Sequence, residues 1–288
     1  MGRHCSISTP IFSSTSVQSV TVCNNTESSH AYFHEKRDEW AQTVTPGARK
    51  FLGVVINKLK ECLRVNAVEL DLSGCDLTHL PEKLPPLVQV LKVAGNWLTH
   101  LPEKLPPSLR ELDVSYNQLI SLPENLPPSL KVLCVTANCL TKLPKNLPPL
   151  LQELYINHNQ LDDLSENLPG SLEVLNVAAN CLSHLPITLP MKLTVLDLSY
   201  NEFTELPAAI CTLSCISYID ISSNNISRKQ IDDIFQGSHS FSRSHAKITF
   251  IIEHELPSSN PVGPLENAVK DYFWPNQISD ARAFKKNN

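Results

Sequence analysis

The stretch Leu122-Pro123-Glu124-Asn125-Leu126-Pro127-Pro128-Ser129-Leu130-Lys131-Val132-Leu133-Cys134-Val135-Thr136-Ala137-Asn138-Cys139-Leu140 joins two patterns end to end. Its second half alternates. Leu133 and Val135 fall on one face of an extended chain and Val132, Cys134 and Thr136 on the other, the period-two mark of a half-buried strand. Its first half places prolines at 123, 127 and 128, where fixed φ and a missing N–H predict an extended return segment and no helix.

Outward from this stretch, L-x-L-x-x-N-x-L recurs with Cys75, Asn96, Asn117, Asn138, Asn159, Asn180 and Asn201 in the Asn position, every step being 21 residues. A variant turn over Tyr218 to Ile226 brings Asn224 to that position after 23. Sixteen of the 22 prolines sit in the return segments. Periodicity of this length means a leucine-rich repeat solenoid of the short 21-residue type, with parallel β-strands on the concave face and an extended, proline-rich convex face lacking helices. The Asn ladder, Asn96 to Asn224, is expected to be structural, each amide donating to and accepting from backbone groups of adjacent turns. A 42-residue period lies on top: Ser115-Tyr116-Asn117-Gln118-Leu119 resembles Ser199-Tyr200-Asn201-Glu202-Phe203, and Ala137-Asn138-Cys139-Leu140 returns as Ala179-Asn180-Cys181-Leu182.

Both ends need covers. Thr45-Pro46 can start a helix whose Phe51, Val55, Leu59 and Leu63 form one apolar stripe, with Ala31 to Trp40 as a partner helix. The expected division is a disordered secretion or targeting segment at 1–30, a helical cap at 31–66, the repeats at 67–226, and a C-terminal cap at 227–288. The first segment holds twelve Ser or Thr and no sustained apolar period. In the last, Ser227 to Phe235 and Leu265 to Phe273 read as helices and Lys247 to Glu253 as a strand.

Composition excludes several function classes. Only 8 glycines occur, none spaced as G-x-G or opening a Walker loop, so nucleotide-cradling motifs are absent. A net charge of −5 gives no field to attract nucleic acid. Nine cysteines without a C-x-x-C pair suggest free thiols in a reducing compartment. No run approaches a membrane span, and the N-terminus lacks the apolar core of a Sec-type signal peptide.

The strand register supplies the candidate partner-binding residues. One concave column reads Asp71, Lys92, Asp113, Cys134, Tyr155, Asn176, Asp197, Asp220, and the column two places earlier reads Glu69, Val90, Glu111, Val132, Glu153, Val174, Val195, Tyr218. Seven carboxylates against one lysine, with two tyrosines among them, suit a protein partner with a basic or amphipathic surface; a solvated face with no single partner is the alternative. An open sheet seldom gives paired carboxylates the unequal environments that acid–base catalysis needs, so no catalytic residue is assigned. No metal or cofactor is assigned either. His79 and His100 share a register position without further ligands, and His30 and His34 lack the glutamate of H-E-x-x-H. Met1-Gly2-Arg3-His4-Cys5-Ser6 fits the myristoylation pattern at Gly2, with Cys5 available for a second acyl chain, which makes a lipid anchor an open alternative.

The unit Leu-Pro-x-x-Leu-Pro-Pro-x-Leu-x-x-Leu-x-Val-x-x-Asn-x-Leu behind a helical cap resembles the leucine-rich-repeat effectors of bacterial type III secretion, the IpaH, SspH and YopM group, over roughly residues 37–225. Ile219 to Asn224, Lys247 to Ile252 and Leu265 to Phe273 look like the junction into the novel-type ubiquitin ligase domain of the IpaH and SspH branch. In that branch a Cys-x-Asp motif carries ubiquitin as a thioester. None of the nine cysteines here has Asp two positions on. The resemblance therefore implies an effector delivered into the host cell cytoplasm that reads a host protein without catalysis of its own. The alternatives are the substrate-recognition part of a ligase whose catalytic domain is truncated or absent here, and an intracellular leucine-rich-repeat signalling scaffold.

Overall fold

The computed structural model describes residues 39–164, 168–227 and 229–230. Within them run eight three-residue strands: β1 Glu69–Asp71, β2 Val90–Lys92, β3 Glu111–Asp113, β4 Val132–Cys134, β5 Glu153–Tyr155, β6 Val174–Asn176, β7 Val195–Asp197 and β8 Tyr218–Asp220. Each pairs in parallel with the next, so the sheet order is the chain order. Leu91 is in register with Leu112 across a 21-residue step, and Leu196 with Ile219 across the 23-residue one. The chain is a leucine-rich repeat solenoid.

The middle residue of every strand points into the core: Leu91, Leu133, Leu154, Leu175 and Leu196 are all 0% exposed. Val93, Val135 and Val177, two residues on, lie equally deep, as period two requires. On the return side each Pro-Pro pair closes a turn, with Leu109 N donating to Pro106 O at 3.1 Å, Leu130 N to Pro127 O at 3.0 Å and Leu151 N to Pro148 O at 3.1 Å. The last return departs from the expected helix-free convex side, because Ala208–Thr212 is a 3-10 helix. This turn is two residues longer than the others, and it fits successive i to i+3 bonds, Ile210 N to Pro207 O at 3.0 Å and Leu213 N to Ile210 O at 3.2 Å.

The ladder asparagines bind each turn to the one before it. Asn117 Oδ1 accepts from Leu98 N at 2.9 Å, while its Nδ2 lies 3.0 Å from Val93 O, 3.0 Å from Val114 O and 3.1 Å from Ser115 O. Asn138 repeats the set on Leu119 N at 2.9 Å and Val114 O at 3.1 Å, and Asn224 ends it on Phe203 N at 3.1 Å and Leu198 O at 2.9 Å. The first ladder position has no preceding turn to bind. Cys75 stands there, its thiol on Ser73 O at 3.4 Å.

The residue before each ladder position is left-handed: Gly74 and Gly95, then Tyr116, Ala137, His158, Ala179, Tyr200 and Ser223, with φ between 51° and 65°. The scarcity of glycine gave no hint of this. A non-glycine residue there costs roughly 1–2 kcal/mol. Stacking holds it in place, since the N–H of Tyr116 donates to Thr136 O at 2.8 Å and that of Ala137 to Asn157 O at 3.0 Å in the following turn.

Helix α1, Arg49–Arg64, covers the first turn with Val55, Leu59, Cys62 and Leu63 buried and Phe51 partly so. It begins three residues after the expected Pro46, because residues 46–48 form a turn in which Thr45 O receives Arg49 N at 3.1 Å. Lys58 Nζ reaches Asp71 O on the open edge of β1 at 2.6 Å. Upstream, residues 39–43 are helical, and Trp40 Nε1 donates to His79 O at 3.2 Å. The expectations for 1–38 and for the elements beyond 230 lie outside the described residues.

Two substitutions separate the core from the ladder. Leu133→Ala is expected to cost about 2–5 kcal/mol by opening a cavity, and Asn138→Ala about 1–3 kcal/mol by orphaning backbone groups. Urea unfolding of both variants checks this, and parental midpoints would show the register to be misassigned.

Candidate partner-binding face

The closing position of each strand holds Asp71, Lys92, Asp113, Cys134, Tyr155, Asn176, Asp197 and Asp220. The structure gives each of the four acidic members a backbone partner. The N–H two residues past the strand is outside the sheet ladder, and a carboxylate at the closing position receives it: Asp71 from Ser73 at 2.9 Å, Asp113 from Ser115 at 3.0 Å, Asp197 from Ser199 at 3.0 Å and Asp220 from Ser222 at 2.9 Å. Asn176 does the same for Ala178 at 3.1 Å. Burial varies along the column: Asp71 is exposed, while Asp113 is 6%, Asn176 4% and Asp220 9% exposed. Strands about 4.8 Å apart stack these short side chains against one another.

The opening position of each strand holds the more accessible charge. Glu69 pairs with Lys92 at 2.7 Å, and this bond, with the nearby Asp71 and Glu111 charges, holds the Lys92 ammonium above its ordinary pKa despite some burial. Glu111 and Glu153 are half-buried, and Tyr155 donates its hydroxyl to Glu153 Oε2 at 2.9 Å. Tyr218 donates to Asp220 Oδ2 at 3.3 Å, and burial followed by the Asp220 and Asp197 charges drives its phenol far above the ordinary value.

Electrostatics change sign of effect along the sheet. At Asp71, burial pushes the carboxyl upward, but hydrogen bonds from Ser73 and the charges of Lys58 and Lys92 outweigh it and hold the pKa low. At Asp197 burial dominates, the Asp220 charge adds to it, and the carboxyl is pushed up in spite of its Ser199 bonds. The Cys134 thiol is pushed up to about 11 by burial beside Asp113, and lies 2.9 Å from Ser115 Oγ. It is a thiol, not a thiolate, at neutral pH.

His79 has both ring nitrogens engaged. Thr43 Oγ1, which donates to Trp40 O at 2.7 Å, receives Nε2 at 2.6 Å, leaving Nδ1 to accept from Thr78 Oγ1 at 3.1 Å in the neutral tautomer that this network assigns. Burial, with a smaller contribution from His100, lowers its pKa. Among the described residues no three His, Cys, Asp or Glu side chains are grouped to hold a metal, and no helix is long and apolar enough to cross a membrane. Gly2, Cys5, His30 and His34 lie outside the described residues.

Outside the two columns, Tyr116, His158 and Tyr200 are exposed at the left-handed position on the rim of the face. The 42-residue echo of Ser115-Tyr116 in Ser199-Tyr200 carried the signal for two of them.

Two measurements test this account. Because the folded pKa of Asp197 is raised, its ionised form weakens the fold at neutral pH, and stability is regained as pH falls through the folded value. Asp197→Asn, which keeps the Oδ1 acceptor as Asn176 does, should therefore melt higher than the parent at pH 7 and lose that advantage below about pH 3.9. Iodoacetamide at pH 8 should label exposed Cys181 and Cys215 and spare Cys134; mass spectrometry reads the sites.

Comparison with known proteins agrees with this geometry. The Leucine Rich Repeat family model matches residues 108–128 and 192–213. The E3 ubiquitin-protein ligase ipaH3 of Shigella flexneri is 42% identical over 88 residues, which are 31% of this chain and 15% of the ligase. YopM from Yersinia enterocolitica superposes with a TM-score of 0.63 at 38% identity over 68% of this chain and 42% of that one. A Shigella effector leucine-rich-repeat domain superposes with a TM-score of 0.67 at 30% identity, over 78% of this chain and 99% of that domain. With 99% of that domain covered at 30% identity, the chain belongs to the bacterial leucine-rich-repeat effector family of the IpaH and YopM group.

Proposed function

We propose that this chain is an effector delivered by type III secretion into the host cytoplasm, where its concave face binds a basic or amphipathic surface of a host protein, without catalysis of its own. The observation that carries the reading is the charge of that face. From β3 to β8 the opening and closing positions include Glu111, Asp113, Glu153, Asp197 and Asp220 and no Lys or Arg. A surface of one sign steers oppositely charged partners and disfavours acidic ones. The absence of Cys-x-Asp from the chain supports the non-catalytic part of the reading.

A second reading, recognition of substrates for a ubiquitin ligase activity, is favoured by the 42% identity to ipaH3. It is separated by offering the chain a ubiquitin-charged conjugating enzyme: a thiol-sensitive ubiquitin adduct on this chain sinks the non-catalytic reading. Coding sequence that continues in frame past Asn288 to a Cys-x-Asp segment would favour the ligase reading.

Recognition is tested through the glutamates, because Asp113 holds backbone as well as charge. Glu111→Lys with Glu153→Lys should lower capture of host protein from cytosol by about tenfold or more, and raised salt should weaken the parental complex. Convex Glu103→Lys and Lys145→Glu should leave capture unchanged. Equal losses from both faces would place the binding surface elsewhere.

A further inference from the structure

The concave face has a two-turn alternation that neither the core nor the Asn ladder requires. The turns through β3 and β5 pair a glutamate at the strand opening with a ring at the rim, Glu111 with Tyr116 and Glu153 with His158, and the turn through β7 keeps the ring as Tyr200. The turns between them carry small apolar residues at both positions, Val132 and Ala137 in one, Val174 and Ala179 in the other. Tyr116 is 41% and Tyr200 58% exposed. Burial, with the Cys134 and Asp113 charges, raises the pKa of the Tyr116 phenol. The face is thus corrugated, with ridges on alternate turns and furrows between them.

We propose that this corrugation is a track for a cationic, proline-rich segment in the polyproline II conformation, lying along the solenoid axis. The proposal rests on the concave-face reading above and names the kind of partner it takes. The first argument is the period. Strands about 4.8 Å apart put the ridges about 9.6 Å apart, and three residues of polyproline II advance about 9.3 Å. An α-helix returns to the same face after seven residues, at about 10.5 Å. Across two periods the mismatch is roughly 0.6 Å for polyproline II against 1.8 Å for the helix. An extended strand repeats its side-chain pattern every 6.6 Å or so and falls out of step at the first ridge.

The second argument is chemical. Rings standing over a small apolar floor are what proline-rich segments dock against, and the segment's stiffness reduces the entropy lost on binding. The third is charge complementarity. Glu111 and Glu153 stand on two successive ridges, so lysines or arginines three residues apart meet a carboxylate on each while the prolines occupy the furrow between them.

The test uses the full chain and two labelled peptides of equal charge and spacing, (Pro-Pro-Lys)4 and (Gly-Ser-Lys)4, in fluorescence anisotropy. The proline peptide is expected to bind at least about tenfold more tightly. Ala137→Tyr fills the furrow between Tyr116 and His158, and its backbone accepts the change because Ala137 and Tyr116 share a φ of 54°. It should reduce binding of the proline peptide about tenfold with an unchanged melting curve; Ala179→Tyr makes the same test in the next furrow. Leu150→Tyr, on an exposed part of the convex side, should change nothing. Equal binding of the two peptides, binding of neither, or parental binding by both filled-furrow variants overturns the proposal. If host-protein capture still depends on Glu111 and Glu153 while the proline peptide shows no preference, the polyproline track fails and the concave-face reading survives.

Discussion

The amide of the ladder asparagine is the interaction on which the rest depends. A solenoid turn leaves strand-end carbonyls and the N–H groups of the next segment facing inward, where water does not reach them, and an orphaned buried group costs about 1–3 kcal/mol. One Asn per turn answers on both sides, its Oδ1 on the N–H of the preceding turn and its Nδ2 on carbonyls of both turns. Because the amide spans neighbouring turns, it sets their spacing. That spacing then decides what is allowed elsewhere: a left-handed residue just before the Asn and a closed turn on the return side. Among the described residues no buried side-chain nitrogen or oxygen lacks a hydrogen-bond partner.

Binding to the preceding turn gives the solenoid a direction, and the two ends solve different problems. At the start there is no turn to bind, so Cys75 replaces Asn, and α1 supplies apolar cover together with the Lys58 ammonium on the carbonyl of Asp71. Farther along, Lys58 and Lys92 are out of reach, and Asp197 faces Asp220 across adjacent strands. The same side-chain role, receiving the N–H two residues on, is therefore held with a lowered pKa at one end and a raised pKa at the other. Burial and neighbouring charge set the sign, while the hydrogen bond stays constant.

Most of the architecture was legible because a repeat averages over its own exceptions. The Leu positions gave the register of all eight strands, including the 23-residue step, since every strand must bury the same face. Three features were not legible, each for a local reason. The left-handed column was hidden because alanine, tyrosine, histidine and serine hold it, and the backbone bonds that enforce it come from another turn. The 3-10 helix at Ala208–Thr212 belongs to the one 23-residue step among the repeats, so no other turn announces it. The backbone bonds of the closing-position carboxylates were hidden because the sequence columns show side and charge but not the turn that follows. Parity says which side of the sheet a residue is on; it does not report that a backbone N–H two residues later lies within reach of a side chain as short as aspartate.

Side-chain length divides the candidate site into two sets of residues. Aspartate at the closing position is short enough to fold back onto its own chain, so its charge is coupled to the turn's geometry and its replacement disturbs the fold. Glutamate at the opening position is one methylene longer, has no N–H in that relation to it, and projects over the sheet, where Glu69 meets Lys92 and Glu153 meets Tyr155. Sequence change at opening and rim positions can thus alter what the face recognises while the closing-position column and the Asn ladder maintain the stack. The alternation of Glu with Val at the openings, and of rings with alanine at the rim, occurs in the two sets of positions that stacking leaves most free. A pattern repeated there is a property of the surface offered to a partner, since the core beneath is filled by the same Leu and Val positions whichever way the alternation runs.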